Sequence, residues 1–281
     1  MSNLIEPKDY HRAVKLLRRF FEDIDFIEVP TQSRLSILAA CEDPRTIATY
    51  NYAGQVWPLP QTGQMWLEYE LLRDPSVAGL FCQSTSFRNE PNPIPGRHDL
   101  VFPMFEFETH GTMNSLEGLE RDLLRWMGFD PIWFTTGEYE SLCEDFEVDE
   151  IKAEQEGEIF EKYGPVFFLR NFPQHTSPFW NMKKEGDLAK KIDVILFGVE
   201  TIGSAERSTD PEEMEHLFKT ISDGMYAEIL YAQFGKDRVD YELQEFLSMD
   251  FFPRCGGGIG MTRFIRALKK LEEMGYEIPG I

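Results

Sequence analysis

The chain has 281 residues, 42% of them apolar and 14% aromatic, enough for a sizeable core in one large domain, the default, or two small ones. Its formal net charge of −21, with no basic run, argues against a general nucleic-acid binder, which needs clustered Lys and Arg to release counterions from phosphate. No apolar stretch is long enough to span a bilayer, and the N-terminus lacks the basic-then-apolar order of a secretory signal, so a soluble cytoplasmic protein is expected.

Apolar residues at Tyr10, Ala13, Val14, Leu16, Leu17, Phe20 and Phe21 predict a helix over Lys8 to Asp23 with a broad buried face. A strand follows at Phe26 to Pro30, then a turn at Glu42, Asp43 and Pro44. Gly54 to Pro60 reads as a short strand and Gly63 to Arg73 as a helix stopped by Asp74 and Pro75. Gly79 to Arg88 and Val101 to His110 are strands flanking a Pro-rich loop, and Ser115 to Trp126 is a helix. The acidic stretch 129–161 is weakly patterned and reads as an insertion or a solvated face. Val166 to Phe172 and Ile192 to Val199 are core strands. Asp210, Pro211 and Glu213 open one long helix running to Gly235, a shorter helix covers Tyr241 to Met249, and Met261 to Met274 is the last. This order predicts an α+β fold, a mixed antiparallel sheet flanked by helices in a single domain over 1–281. Cys41, Cys82, Cys143 and Cys255 form no close pair, which argues against a zinc site or disulfides and for buried free thiols.

Two segments carry the chemistry. FRNEPNPIPGRHDLVFPMFEFE, from Phe87 to Glu108, places Arg88, then Arg97 and His98, then a return strand with inward carboxylates. Guanidinium suits phosphate because its planar fork donates two parallel hydrogen bonds and stays charged. GGGIGMTR, from Gly256 to Arg263, lets backbone approach a ligand while the following helix presents Arg263. A dinucleotide fold uses a similar cluster, but it wants an early βαβ unit and a third glycine where Met261 stands. Asp193 and Glu200, with Arg207 beyond them, read equally as a magnesium site beside phosphates or as an exposed Asp with a structural Glu200–Arg207 ion pair.

The first segment resembles motif 2 of class II aminoacyl-tRNA synthetases and the second their motif 3; DVILFGVETIGSAER, Asp193 to Arg207, resembles the strand between them in the aspartyl, asparaginyl and lysyl branch. The resemblance runs from Lys8 to Leu271 and implies that branch's antiparallel fold, usually dimeric. It implies ATP and Mg2+: Arg88 on the α-phosphate, Arg97 and His98 on the γ-phosphate, and Phe102 and Arg263 either side of adenine. Glu90, Gly258 and Gly260 complete the ATP set, and Asp193 and Glu200 hold magnesium. Arg88, Arg263 and Glu200 are then the catalytic residues, acting by positioning and charge neutralisation without a side-chain nucleophile.

QTGQMWLE, Gln61 to Glu68, resembles the asparaginyl pattern. By resemblance Gln64 with Glu42 binds the α-amino group, Glu106 accepts from a side-chain amide and Arg207 donates to its carbonyl. Leu67 stands where the aspartyl branch has a Lys, which points to asparagine. Departures occur at Glu28-Val29-Pro30-Thr31-Gln32, the dimer motif; at Val101; at Ser204 and Ala205; and at the rim Ser177 to Trp180. Too few residues precede Lys8 for the branch's anticodon-reading domain, so the resemblance implies a stand-alone paralogue with tRNA charging doubtful. The leading expectation is an AMP-forming ligase activating asparagine or an analogue for an unknown acceptor. The alternatives are asparagine synthesis through an aspartyl-adenylate captured by ammonia, and a non-catalytic regulatory paralogue.

Overall fold

The computed structural model describes residues 5–31, 36–37, 44–93, 99–176 and 178–278. Glu42, Arg97 and His98, together with Cys41, Gln32 and Ser177, lie outside the described residues. Helix α1 (Pro7–Asp23) starts on Pro7, whose fixed φ suits a first helical turn, and buries Ala13, Val14, Leu16, Leu17, Phe20 and Phe21. Strand β1 (Phe26–Glu28) follows. Strands β2 (Ala48–Tyr52) and β3 (Gln55–Leu59) form a separate hairpin. Its turn residues Ala53 and Gly54 both have positive φ, the two-residue geometry that matches strand twist. Sequence reading found β3 alone, because β2 presents an exposed, largely polar surface.

Helix α2 (Gln64–Arg73) precedes the antiparallel pair β4 (Gly79–Phe87) and β5 (Val101–His110). After α3 (Met113–Trp126), the acidic stretch supplies β6 (Phe134–Glu138), α4 (Tyr139–Phe146) and α5 (Ala153–Tyr163). These are woven into the sheet: β6 pairs parallel with β7 (Val166–Pro173), and Tyr139, Leu142 and Ile159 pack on Phe167, Leu169 and Ile195. Strands β8 (Lys184–Glu185), β9 (Leu188–Leu196) and β10 (Val199–Glu206) come next. The expected strand across 192–199 is cut by a turn at Phe197 and Gly198, both at positive φ, so Asp193 and Glu200 fall on adjacent antiparallel strands.

The expected long helix is also two: α6 (Pro211–Thr220) and α7 (Met225–Phe234). Ser222, Asp223 and Gly224 between them are left-handed, which no continuous right-handed helix admits. Helix α8 (Lys236–Leu247), strand β11 (Arg254–Gly260) and α9 (Met261–Glu273) complete the chain.

The sheet order is β1-β4-β5-β11-β10-β9-β7-β6, with β8 on β9. Pairing is antiparallel except at the two edges, β1 with β4 and β6 with β7. This is the expected α+β architecture, an antiparallel sheet flanked by helices. Strand alternation decides its two faces. Phe81, Phe105, Phe107, Ile202, Val194 and Ile259 face α1, α3 and α9 in one apolar core, where Phe21 lies 5.1 to 5.8 Å from the rings of Phe81, Phe105 and Phe107. The opposite face carries Glu106, Glu108, Gly256 and Gly258, and α6 to α8 pack beside it in a second core around Trp180, Phe218 and Tyr226. Among the described residues Cys82, Cys143 and Cys255 are unpaired, and no helix is long and apolar enough to cross a membrane.

Candidate active site

Strand register builds the site from the sheet upward. Gly203 lies opposite Gly258 and Ala205 opposite Gly256, giving the middle of the sheet a floor without bulky side chains. Continuing the same rows, Glu106 and Glu108 flank the floor on β5, and Asp193 and Lys191 flank it on β9. Two cavities open above this floor. The deeper, of about 170 Å3, is lined by Gln64, Glu68, Glu106, Asn181, Lys191 and Arg207. The second, of about 270 Å3, is lined by Glu90, Phe102, Gly260 and Arg263. Arg88, Met104, Glu200, Gly203 and Gly258 line both, so the cavities adjoin at Arg88 and Glu200.

In the second cavity the Arg88 backbone N–H donates to Leu100 O at 2.8 Å, extending the β4–β5 hairpin. The Arg88 guanidinium lies 5.8 Å from the centre of the Phe102 ring. Arg263 reaches from the first turn of α9 and donates through Nη1 to the Glu200 carbonyl at 2.7 Å, with the Glu200 carboxylate at 3.5 Å. The alternative Glu200–Arg207 ion pair is not formed, since Arg207 is committed to Glu108 and Glu68.

In the deeper cavity Arg207 donates through Nε and Nη2 to both oxygens of Glu108, at 3.1 and 3.0 Å, and through Nη2 to Gly256 O. Its third guanidinium nitrogen has no hydrogen-bond partner among the described residues. Glu68, one turn beyond Gln64, is fully buried; its Oε2 accepts from Arg254 Nε and Nη2 at 3.0 and 2.9 Å. Burial pushes the Glu108 carboxyl up, with the Glu68 charge adding and Arg207 opposing. Burial also works against the Arg207 charge, but Glu108 and Glu68 more than offset it, and its pKa is raised.

Glu106 accepts from the Thr62 and Ser84 hydroxyls and from Gly63 N at 2.8 Å. Burial raises its pKa and those donors counter the rise. Gln64 spends its amide N–H groups on Phe107 O (2.9 Å) and Glu108 (2.8 Å), leaving Oε1 without a donor among the described residues.

Leu67 does not line the cavity. It is buried with Leu71, Leu80 and Cys82 on the side of the helix that packs on β4, about 100° around the axis from Glu68. That position therefore supplies neither a cation nor a wall to the cavity. Lys191 from β9 lines the cavity instead, with Nζ 3.3 Å from Asp193 and 4.3 Å from the Phe172 ring centre.

The Asp193 and Glu200 carboxylates converge over Gly203: a Cβ there would lie 3.3 Å from Glu200 Oε1 and 3.6 Å from Asp193 Oδ1. Glu156 from α5 accepts from Glu200 N at 2.7 Å and steadies the strand end. Two carboxylates over a bare glycine suit a hard divalent ion that takes its remaining oxygens from phosphate and water. No group of three or more His, Cys, Asp or Glu with metal-holding geometry occurs among the described residues.

Sequence reading missed Glu68, Glu108, Asn181, Lys191 and Arg254. Glu108 alternates with Glu106 and Glu68 is four residues from Gln64, so periodicity marked both. Asn181, Lys191 and Arg254 had no local signal, being delivered by segments that approach only in the folded chain.

Residues 7–276 match the family of tRNA synthetases class II (D, K and N). An aspartate–tRNA(Asp) ligase from Pyrobaculum aerophilum is 27% identical over 155 residues, 55% of this chain and 30% of that relative. The chain thus spans under a third of that relative's length. The asparaginyl-tRNA synthetase of Pyrococcus horikoshii, solved with asparaginyl-adenylate, superposes with a TM-score of 0.75 at 18% identity, covering 97% of this chain and 68% of that one. The aspartyl-tRNA synthetase of Entamoeba histolytica superposes at 0.70 and 18% identity, covering 94% and 55%. At such identities these structures speak for the fold, and the sequence family carries the assignment. The chain belongs to the class II tRNA synthetases of the D, K and N group.

Proposed function

We propose that the protein activates asparagine or a close analogue by forming its adenylate from ATP. The observation that carries this reading is the junction of the two cavities at Arg88 and Glu200. A carboxylate held in the deeper cavity and a nucleotide in the second would meet there. A carboxylate oxygen attacks the α-phosphorus, an aminoacyl–phosphate bond forms, the α–β bridge breaks and pyrophosphate leaves with its electron pair. Arg88 neutralises the charge that accumulates on the α-phosphoryl oxygens, and Arg263 and Phe102 present a guanidinium plane and a ring to the adenine. Magnesium, held by Asp193 and Glu200, would supply charge neutralisation on the phosphates. Gln64 Oε1 accepts from the α-ammonium, and the unengaged Arg207 nitrogen donates toward the side-chain carbonyl.

One observation favours the second reading, an aspartyl-adenylate captured by ammonia: Lys191 adds a cation to the cavity wall, where it would help neutralise a side-chain carboxylate. We also read α1 and β1 as a homodimer contact, since Ile24 and Ile27 are exposed beside the edge strand. Amino-acid-dependent exchange of labelled pyrophosphate into ATP across the twenty amino acids tests activation. Exchange with asparagine supports the lead, aspartate- and ammonium-dependent AMP release supports the second reading, and no exchange with any amino acid overturns both.

A further inference from the structure

We propose that Asn181 is a specificity residue: its Oδ1 accepts a hydrogen bond from the side-chain carboxamide of the bound amino acid. This inference rests on the activation reading above and names the group that fixes its substrate. Asn181 follows β7 and the Phe179–Trp180 pair, lines the deeper cavity and is fully buried. Its backbone is held by Ser208 N donating to Asn181 O at 2.8 Å.

The orientation of its amide follows from the neighbours. Nδ2 donates to Glu68 Oε1 at 2.5 Å, and Glu68 is gripped by Arg254 and approached by Arg207 at 3.5 Å. A carboxylate held by two guanidiniums is ionised and can only accept. Exchanging the amide nitrogen and oxygen would set acceptor against acceptor, so Oδ1 is the end that points away from Glu68. That oxygen has no hydrogen-bond partner among the described residues. A buried carbonyl without a donor is costly and becomes favourable when a ligand supplies an N–H.

Of the other acceptors lining the cavity, Gln64 Oε1 is the one assigned above to the α-ammonium, and the two β5 glutamates are already served. Glu106 takes Thr62, Gly63 and Ser84, and Glu108 takes Arg207 and Gln64. Contact through Glu68 places Asn181 at the Arg207 end of the cavity, whereas Arg88 and Glu200 mark the end it shares with the second cavity. The donor that meets Oδ1 is therefore on the far end of the substrate from its reacting carboxylate. A primary carboxamide satisfies both partners, giving its N–H to Asn181 and its carbonyl to Arg207. A carboxylate offers Oδ1 no proton.

Pyrophosphate exchange by the full chain tests this with asparagine, aspartate and aspartate β-methyl ester, a neutral analogue without the N–H. Wild-type protein should use asparagine at least about tenfold better, in kcat/KM, than either of the others. Asn181→Leu, checked for folding by thermal denaturation, should lose about tenfold or more of the asparagine preference, mainly through KM for the amino acid, with KM for ATP unchanged. Equal use of asparagine and the methyl ester by the wild type, better use of aspartate, or a folded Asn181→Leu with an unchanged preference each overturns the role of Asn181 and leaves activation standing. If Asn181→Leu does not fold, the wild-type comparison of the three substrates decides. No exchange with any amino acid removes the activation reading and this inference together.

Discussion

Arg263 holds the main-chain carbonyl of Glu200 at 2.7 Å while standing 3.5 Å from its carboxylate, so the start of α9 is pinned to the strand that carries one of the two converging acids. Arg263 and Phe102 both line the second cavity. Arg263→Lys keeps the charge but loses the plane and the fork. It is expected to raise KM for ATP about tenfold in the exchange assay with little change in KM for the amino acid. An unchanged KM for ATP would mean that Arg263 secures the strand and does not touch the base.

Arg88 is a wall of both cavities, and no other cation among the described residues is. Arg88→Ala should therefore lower the exchange rate about a hundredfold or more, the usual scale for losing a fixed group that stabilises transition-state charge. Circular dichroism would confirm that the sheet is intact. A folded Arg88→Ala protein with normal exchange would exclude Arg88 from the phosphate site.

Glu68 and Arg254 are both completely buried and joined by two hydrogen bonds. Glu68→Gln leaves Arg254, and part of Arg207, with positive charge in a dry environment. Removing one partner of such a pair costs about 3–5 kcal/mol, measurable by urea unfolding at neutral pH. A loss below about 1 kcal/mol would show that water reaches the network.

Glu120, in the second half of α3, faces the back of the sheet and is fully buried. The Ser204 hydroxyl, close enough to hold the Glu120 pKa down somewhat, donates to Ile192 O at 3.2 Å, and neither Glu120 oxygen has a hydrogen-bond partner among the described residues. Burial above all raises its pKa from 4.5 to about 8, and the Glu117 and Asp193 charges add to the rise. The folded state thus holds a proton that the unfolded chain releases near pH 4.5. The stabilisation from this proton is fully present below that pH and is lost as pH rises toward about 8. Glu120→Gln should flatten the fall in unfolding free energy between pH 5 and pH 8 by a few kcal/mol, taking about 1.4 kcal/mol per pKa unit. Identical pH profiles in wild type and variant would refute a neutral Glu120.

The glycines of β11 differ in what they tolerate. A Cβ on Gly256 would meet the Phe107 carbonyl and the Glu108 carboxylate, whereas one on Gly260 would find its nearest neighbours at 3.8 and 3.9 Å. Gly256→Ala should destabilise the protein by about 3 kcal/mol or more, because backbone has to move, and Gly260→Ala by less than about 1 kcal/mol. Similar melting temperatures for the two variants would show that β11 shifts freely on β5.

Periodicity and short-range spacing sufficed for what is local. The stripe of α1, the alternation of phenylalanine and glutamate along β5, and the run of glycines before Arg263 each state their own geometry. Together they specified the sheet, its faces and the residues Arg88, Phe102 and Arg263 that line the second cavity. Turns hidden inside apolar or helical runs were lost: Phe197-Gly198 and Ser222-Asp223-Gly224 reverse the chain through left-handed backbone, which side-chain polarity does not advertise. The deeper cavity was decided by tertiary structure. Leu67 turns away from it although its neighbours Gln64 and Glu68 face in, since a helix rotates about 100° per residue. Lys191, Asn181 and Arg254 enter from strands and a loop distant in the chain. Charge pairing among such groups depends on separations of a few ångströms, a quantity that pairwise order along the chain does not contain.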